Sequence, residues 1–335
     1  MNLTDFKRSL TGQLLSNIGL KPNERKSLLW PNNYTPGKEG FTKLFSLNPN
    51  DVAYRIVTEG IGNEKDKVNS VLSSALLPLL VFNPLFGYPP MQKESKSISI
   101  RLPGEEKLRK FDNCFFEVRN TVIGFPSCVD VVLTTKEGGH TTLLFLESKF
   151  IEYLEDLKEV KEYGKSYNSL YLKDGIKNAL DCGSLNIASS LGSGKMKLSS
   201  KQKSYIEGIK QTISHLIGIV KGPSCSKKGF YPEKYAESYR RFYYSEDAEF
   251  IYGTILYHTP TREYSDYCDL YRKIIGDNGT QIVSAINEWN KSSNKTIKVL
   301  PDVLTYQQVF GLLENKGFLS SVVDKFYGLD EAAHL

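Results

Sequence analysis

The chain has few of the residues and patterns that several large function classes require. Its 335 residues include only 5 cysteines and 4 histidines. The cysteine number is odd and no two cysteines are spaced as CxxC, which argues against a disulfide framework and a cysteine-based zinc site. No histidines have HExxH spacing, and no serine lies in a GxSxG sequence, so the usual metalloprotease and α/β-hydrolase motifs are missing.

Long hydrophobic runs are also missing. The longest apolar run, residues 75–82, contains Pro78 and is far too short to span a bilayer. Residues 1–10 mix acidic and basic side chains and have no apolar stretch typical of a signal peptide. We therefore expect a soluble, cytoplasmic protein without a membrane partner.

A strong charge of either sign is absent as well. The formal net charge is +5, from 43 basic and 38 acidic residues, which permits a phosphate-rich partner without requiring one. Clustered basic residues, interleaved with aromatics up to Tyr244, are either a solvated face or a surface for contacting a nucleic-acid backbone. The clustered basic residues are Lys201, Lys203, Lys210, Lys227, Lys228, Arg240 and Arg241.

The apolar residues that are present follow helix and strand periods in turn. Asn63 is a candidate N-cap for a first helix, whose apolar positions recur at helical spacing until Pro78 and Pro84 end it. Strand-like segments follow at residues 97–102 (weakly alternating), 114–123, 129–135 and 141–150.

A second helix is predicted over residues 200–220, closed by Pro223, and a further strand over 250–257. The remainder after Pro260 is predicted to be helical, with Thr305 capping a helix over 306–315. The order of helix, three strands, helix, strand and helical tail indicates an α/β fold with an antiparallel hairpin inside it. We divide the chain into an N-terminal extension of short helices and loops (1–59), a core (60–259) and a helical C-terminal region packed on it (260–335).

Paired glycines join the third and fourth strand-like segments. If Gly138 and Gly139 form a two-residue turn, Glu137 faces His140, because such turns need positive φ values that glycine adopts readily. Continuing this register pair by pair places Asp130 opposite Glu147, with Cβ atoms about 4.5–5.5 Å apart. A longer loop or a one-residue slip would instead place the two acids on opposite faces.

The facing acids sit at the ends of two apolar strands, where two negative charges repel each other. Lys149 points to the same face as Glu147, because side chains two apart on a strand share a face. A divalent cation that prefers oxygen ligands, Mg²⁺ or Mn²⁺, would neutralise such a pair. A structural ion pair between Glu147 and Lys149 is the alternative interpretation.

Asp130 followed by the apolar strand ending in Glu147, Ser148 and Lys149 resembles the motif of the PD-(D/E)XK nuclease superfamily. Val129 stands where the eponymous proline would be. The resemblance covers roughly residues 60–257, and the order of helices and strands there is similar to that family's core. It implies a restriction-endonuclease-like core, with a mixed central sheet flanked by helices and a helical C-terminal extension.

The resemblance also implies a function and roles for individual residues. Asp130 and Glu147 would hold Mg²⁺, with Mn²⁺ as a substitute, and Lys149 would orient or activate the attacking water. Expected is a DNA nuclease that hydrolyses phosphodiester bonds, more an endonuclease than an exonuclease, acting on double-stranded DNA. A homodimer would supply the two centres needed to cut both strands. A non-catalytic DNA-binding or scaffold protein that retains the fold is the alternative.

Further residues are candidates for the same site. Glu64, early in the first helix, is either a supporting metal ligand, as the resemblance implies, or an acid that favours the helix N-terminus. Gln211 and His215 lie one turn apart on the second helix, which resembles a glutamine motif of RecB-like nucleases, and the alternative is a solvated helix face. Glu117 lies in a strand near the site, and the sequence does not fix which face of the sheet its side chain points to.

Overall fold

The chain forms an α/β fold with a mixed central sheet flanked by helices, which confirms the predicted class. This computed structural model describes residues 1–18, 50–61, 73–86, 97–122, 126–154, 170, 173–181, 200–226, 228–291 and 294–312.

Two sheets contain the strands of the described residues. The strands are β1 (Ile98–Arg101), β2 (Leu108–Phe111), β3 (Asn113–Asn120), β4 (Ser127–Glu137), β5 (His140–Lys149), β6 (Ala248–Leu256), β7 (Ile297–Val299) and β8 (Leu304–Thr305). Strands β1 and β2 form an antiparallel pair of their own. The central sheet has the order β3-β4-β5-β6-β7, with β8 also paired to β6. Strands β3 to β5 are antiparallel neighbours, whereas β6 runs parallel to β5, β7 and β8.

Helices surround this sheet. They are α1 (Leu3–Ile18), α2 (Val52–Glu59), α3 (Leu76–Phe82), α4 (Asp174–Leu180), α5 (Ser200–Lys221), α6 (Glu233–Tyr243), α7 (Arg262–Tyr271), α8 (Gly279–Asn290) and α9 (Tyr306–Gly311). Short 3-10 segments occur at Asn83–Leu85 and Glu152–Leu154, and a π-helical turn follows α7 at Arg272–Gly276. Helix α5 lies between β5 and β6 in the chain and packs on β3 and β4. No helix in the described ranges is both long and apolar enough to span a membrane.

The predicted hairpin is confirmed in turn and in register. Gly138 and Gly139 have φ values of 57° and 92°, so both adopt the left-handed conformation that a two-residue turn of this kind needs. Strands β4 and β5 pair from Glu137 opposite His140 to Val131 opposite Leu146. Both strands are apolar over most of this length and lie in the hydrophobic core, which locks the register.

The predicted helix over 200–220 and the predicted strand over 250–257 are confirmed as α5 and β6. The prediction that Pro78 helps to end the first helix is wrong, because Pro78 lies in the first turn of α3. Proline is tolerated there, since the amide groups of the first turn have no partner within the helix. Residues 62–72, which include most of the predicted first helix, lie outside the described ranges.

The prediction of a purely helical C-terminal region is wrong in part. Helices α7, α8 and α9 are present, but β7 and β8 extend the central sheet beside β6. These strands are too short for their pattern to reveal them, and the apolar β6 beside them supplies the pairing edge. Thr305 caps α9 as predicted, in a reciprocal capping box with Gln308.

Candidate active site

Asp130, Glu147 and Lys149 lie together where the β4–β5 ladder ends. The regular ladder stops at Val131 and Leu146, one pair before Asp130 and Glu147. In its place, the backbone N–H of Ser148 donates a 2.6 Å hydrogen bond to Oδ2 of Asp130. The predicted register therefore brings the three motif residues into one site. There the carboxyl group of Asp130 takes the place of a backbone carbonyl as the acceptor for Ser148.

Both oxygens of the buried Glu147 carboxylate have a close neighbour. Nζ of Lys149 lies 2.5 Å from Oε1, and Nε2 of His215 lies 2.7 Å from Oε2. Burial alone would raise the pKa of Glu147, but Lys149 and His215 outweigh burial and leave the pKa well below its usual range. Glu147 is therefore held as a carboxylate.

For Asp130, the effects that raise the pKa outweigh those that lower it. Burial raises its pKa well above the ordinary value, and the negative charges of Glu147 and Glu117 raise it further. Lys149 and the Ser148 amide offset only part of this effect. Burial and the neighbouring acids therefore raise the pKa of Asp130, whereas Lys149 and His215 lower that of Glu147, so the two pKa values are displaced in opposite directions.

Glu117 completes a row of acids across three strands. Phe116 pairs with Val131 and Val118 pairs with Val129, so Glu117 occupies the position opposite Asp130 on β3. Glu117 is buried and has a φ of 48°, a left-handed conformation that is unusual for a residue other than glycine. The charge of Glu117 raises the pKa of Asp130, so Glu117 lies close enough to act on the site.

Helix α5 brings one of its two candidate residues to the site. His215 is buried and contacts both Glu147 and Ser127, so it does not belong to a solvated helix face. Gln211 is half-buried one turn earlier, and its role in the site stays a prediction. Glu64 lies outside the described residues. Sequence reasoning missed Ser127, because nothing local connects a serine at the start of β4 with a helix that begins at Ser200.

Lys210 does not belong to the predicted basic surface. Lys210 has only 1% of its side chain exposed, and its Nζ lies 3.1 Å from Oε1 of Glu207. It points inward because it lies among the buried residues of α5, so it cannot contact a nucleic-acid backbone as predicted. Arg240 pairs with Glu233 at 3.0 Å, whereas Arg241 is exposed.

No family model, curated protein or solved structure matches this chain. The resemblance to the PD-(D/E)XK superfamily therefore depends on the motif residues and on the order of the elements around them.

The residues at the site fit a magnesium ion better than a zinc ion. Within the described residues, no three His, Cys, Asp or Glu side chains are grouped as a complete set of metal ligands. Mg²⁺ does not need such a set, because it commonly binds through one or two carboxylates together with waters and substrate phosphate oxygens. Oε2 of Glu147 is buried beside Nε2 of His215, and it can accept a metal ion in addition, because a carboxylate oxygen has two lone pairs.

Proposed function

We propose that this chain is a divalent-metal-dependent DNA nuclease with a restriction-endonuclease-like core. The proposal depends above all on one observation: Asp130 and Glu147 lie together one position beyond the last pair of the β4–β5 ladder, with Lys149 against Glu147. An acid pair beside an ammonium group, at the end of two apolar strands, suits hydrolysis of an anionic phosphodiester better than hydrolysis of a neutral substrate.

The topology around the site supports the same function. Helix α3 precedes three antiparallel strands (β3 to β5), and helix α5 precedes a strand parallel to β5 (β6). This order is similar to the one that the resemblance implies, although β1, β2, α4 and α6 lie between these elements in the chain. The motif strand β5 is central in the sheet, with β4 on one side and β6 on the other. Its end is therefore supported from both sides, as a site that must hold a fixed geometry requires.

In this proposal, Asp130 and Glu147 hold Mg²⁺, or Mn²⁺ in its place. The bound ion would polarise the scissile phosphate and lower the pKa of a water molecule. Lys149 keeps its ammonium at Glu147, where it stabilises negative charge that develops as the phosphodiester bond is cleaved. The Ser148 amide holds Asp130 in place across the strand pair. Exposed basic residues such as Arg241 are candidates for contacts with the DNA backbone.

A scaffold function is the second candidate, and the contacts of Glu147 favour it. Lys149 and His215 already satisfy the charge of the buried carboxylate, as they would in a purely structural ion pair. The two functions differ in their response to metal. A nuclease site is stabilised against thermal unfolding by Mg²⁺ or Mn²⁺, because ligands that bind only the folded state raise its stability. A structural ion pair gains nothing from either ion.

Cleavage of plasmid DNA in Mg²⁺ tests the proposal. We expect the wild type to cut the plasmid, whereas E147Q, D130N and K149A lose at least about 100-fold in rate, as is usual for groups that act on the reacting atoms. E137Q is the matched control, because Glu137 is an exposed acid on the same strand as Asp130. Equal cleavage by all five proteins would contradict the site assignment, and absence of cleavage together with absence of a metal-induced rise in melting temperature would favour the scaffold.

A further inference from the structure

Three buried side chains from three different elements form a continuous contact chain at the proposed site. Oγ of Ser127, at the start of β4, lies 2.5 Å from Nδ1 of His215 on α5. Nε2 of the same imidazole lies 2.7 Å from Oε2 of Glu147 on β5. The exposed fractions of Ser127, His215 and Glu147 are 6%, 5% and 4%, so solvent does not compete for these contacts.

The chemistry of the three groups sets the direction of the contacts. An ionised carboxylate can only accept hydrogen bonds, so Nε2 of His215 must carry the proton that faces Glu147. A hydroxyl can donate or accept, so Ser127 adapts to whichever state Nδ1 adopts. Ser127 therefore fixes the orientation of the ring without dictating its charge, and the ring turns its Nε2 side toward Glu147.

The backbone is shaped to allow this approach. Gly218 lies on α5, three residues after His215, where the helix packs against the end of β3 and the start of β4. A Cβ atom at Gly218 would lie 2.9 Å from Cβ of Asn120 and 3.3 Å from Cβ of Ser127. A larger residue would push the helix away from the strands, and His215 with it. The absence of a side chain at this position therefore serves the contact between His215 and Ser127.

We infer that His215 is a positioning residue for Glu147, oriented by Ser127, and this inference rests on the proposed metal-dependent nuclease function. Lys149 holds Oε1 and His215 holds Oε2, so the plane of the Glu147 carboxylate is fixed from both sides. Each carboxylate oxygen has a second lone pair, which stays available for a metal ion. His215 thereby presents Glu147 to the ion in one orientation and does not itself bind the ion.

Metal binding measured by calorimetry and by melting temperature tests this role without depending on cleavage. The variants are H215A, H215Q and S127A, compared with D130N and with S214A as the control on the neighbouring, half-buried residue of α5. We expect H215A to weaken Mg²⁺ binding about 10- to 100-fold, as is typical when a partner behind a metal ligand is removed. S127A should weaken Mg²⁺ binding less than H215A does. H215Q should bind Mg²⁺ more tightly than H215A, because its amide can donate to Glu147.

Cleavage kinetics separate positioning from a merely structural effect. H215A should raise the Mg²⁺ concentration for half-maximal rate while the rate at saturating Mg²⁺ stays within about 10-fold of the wild type. Wild-type Mg²⁺ affinity in H215A and S127A, with binding lost only in D130N, would overturn the role of His215 and leave the metal centre intact. No Mg²⁺ binding by the wild type would overturn the proposed function and this inference with it. If H215A does not fold, H215Q and S127A give the same comparison.

Discussion

Asp130 accepts a 2.6 Å hydrogen bond from the backbone N–H of Ser148, so the carboxylate of one strand takes the place of a ladder acceptor for the next. The Ser148 side chain has hydrogen bonds of its own. Its Oγ lies 2.7 Å from the hydroxyl of Tyr306 and donates to the carbonyl of Ser74 at 2.8 Å. The residue between Glu147 and Lys149 is thus held by β4, by α9 and by the segment that leads into α3. These contacts link the C-terminal region to the motif strand.

Replacing Asp130 by asparagine should abolish metal binding and stabilise the metal-free fold. D130N removes a carboxyl group whose ionisation is opposed by burial and by the charges of Glu147 and Glu117, and its amide oxygen can still accept from Ser148. We expect the metal-free variant to gain up to about 1 kcal/mol in free energy of unfolding, the range for like charges facing each other on adjacent strands. Urea unfolding with and without Mg²⁺ measures both effects, with E137Q as the exposed-acid control. A less stable D130N that still responds to Mg²⁺ would contradict the arrangement.

Removing the Lys149 ammonium should destabilise the metal-free protein strongly. K149A leaves the buried carboxylate of Glu147 without its closest positive charge, which typically costs about 3–5 kcal/mol. The double variant E147Q/K149M should recover most of that loss, because it removes the charge that lost its partner and keeps an acceptor for His215. A double-mutant cycle from urea unfolding measures the coupling. Costs that simply add would show that the two side chains do not act as a pair.

The left-handed backbone of Glu117 predicts a glycine preference. E117G and E117A both remove the carboxylate, but only glycine adopts a φ of 48° without a steric penalty. We expect E117G to be more stable than E117A by about 1 kcal/mol in urea unfolding, from the usual cost of left-handed backbone in a residue with a Cβ atom. If E117A equals or exceeds E117G in stability, the backbone at this position is not left-handed in solution.

An ion-pair network away from the site should give a pH-dependent contribution to stability. Glu105 accepts from Arg109 at 2.6 and 2.8 Å and contacts Lys298 of β7, while Arg109 also reaches Glu249 of β6. Partial burial alone would raise the pKa of Glu105, but the hydrogen bonds from Arg109 and Lys298 outweigh it and lower the pKa.

A lowered carboxylate pKa stabilises the fold above the unfolded-state value, about 4.3 for glutamate, and the gain is lost as pH falls through the folded-state value. The difference in unfolding free energy between the wild type and E105Q should therefore be larger at pH 6 than at pH 3. A difference that stays constant across this range would show that the network does not hold Glu105 as a carboxylate.

Several features of the site follow from local sequence. The Gly138-Gly139 turn determines the register of β4 and β5, and hence the approach of Asp130 to Glu147, because a two-residue loop leaves one way to pair the strands. The helix α5 and the strand β6 follow from their apolar periodicity. Each of these predictions uses residues that are close together in the chain.

Other features needed the tertiary structure. The register of β3 against β4 places Glu117 opposite Asp130, but the connection between these strands is too long to fix a register from sequence. His215 and Ser127 are 88 residues apart, and only the packing of α5 on the sheet at Gly218 brings them into contact. The burial of Lys210 and the pairing of β7 and β8 with β6 likewise depend on contacts between elements that are distant in the chain.

The sequence by itself therefore determined which acids face each other and that Lys149 shares their face, since a tight turn and the strand period are local properties. The tertiary structure decided which other side chains reach those acids. Contacts between distant elements depend on how helices pack and loops close, and a single sequence does not display that information.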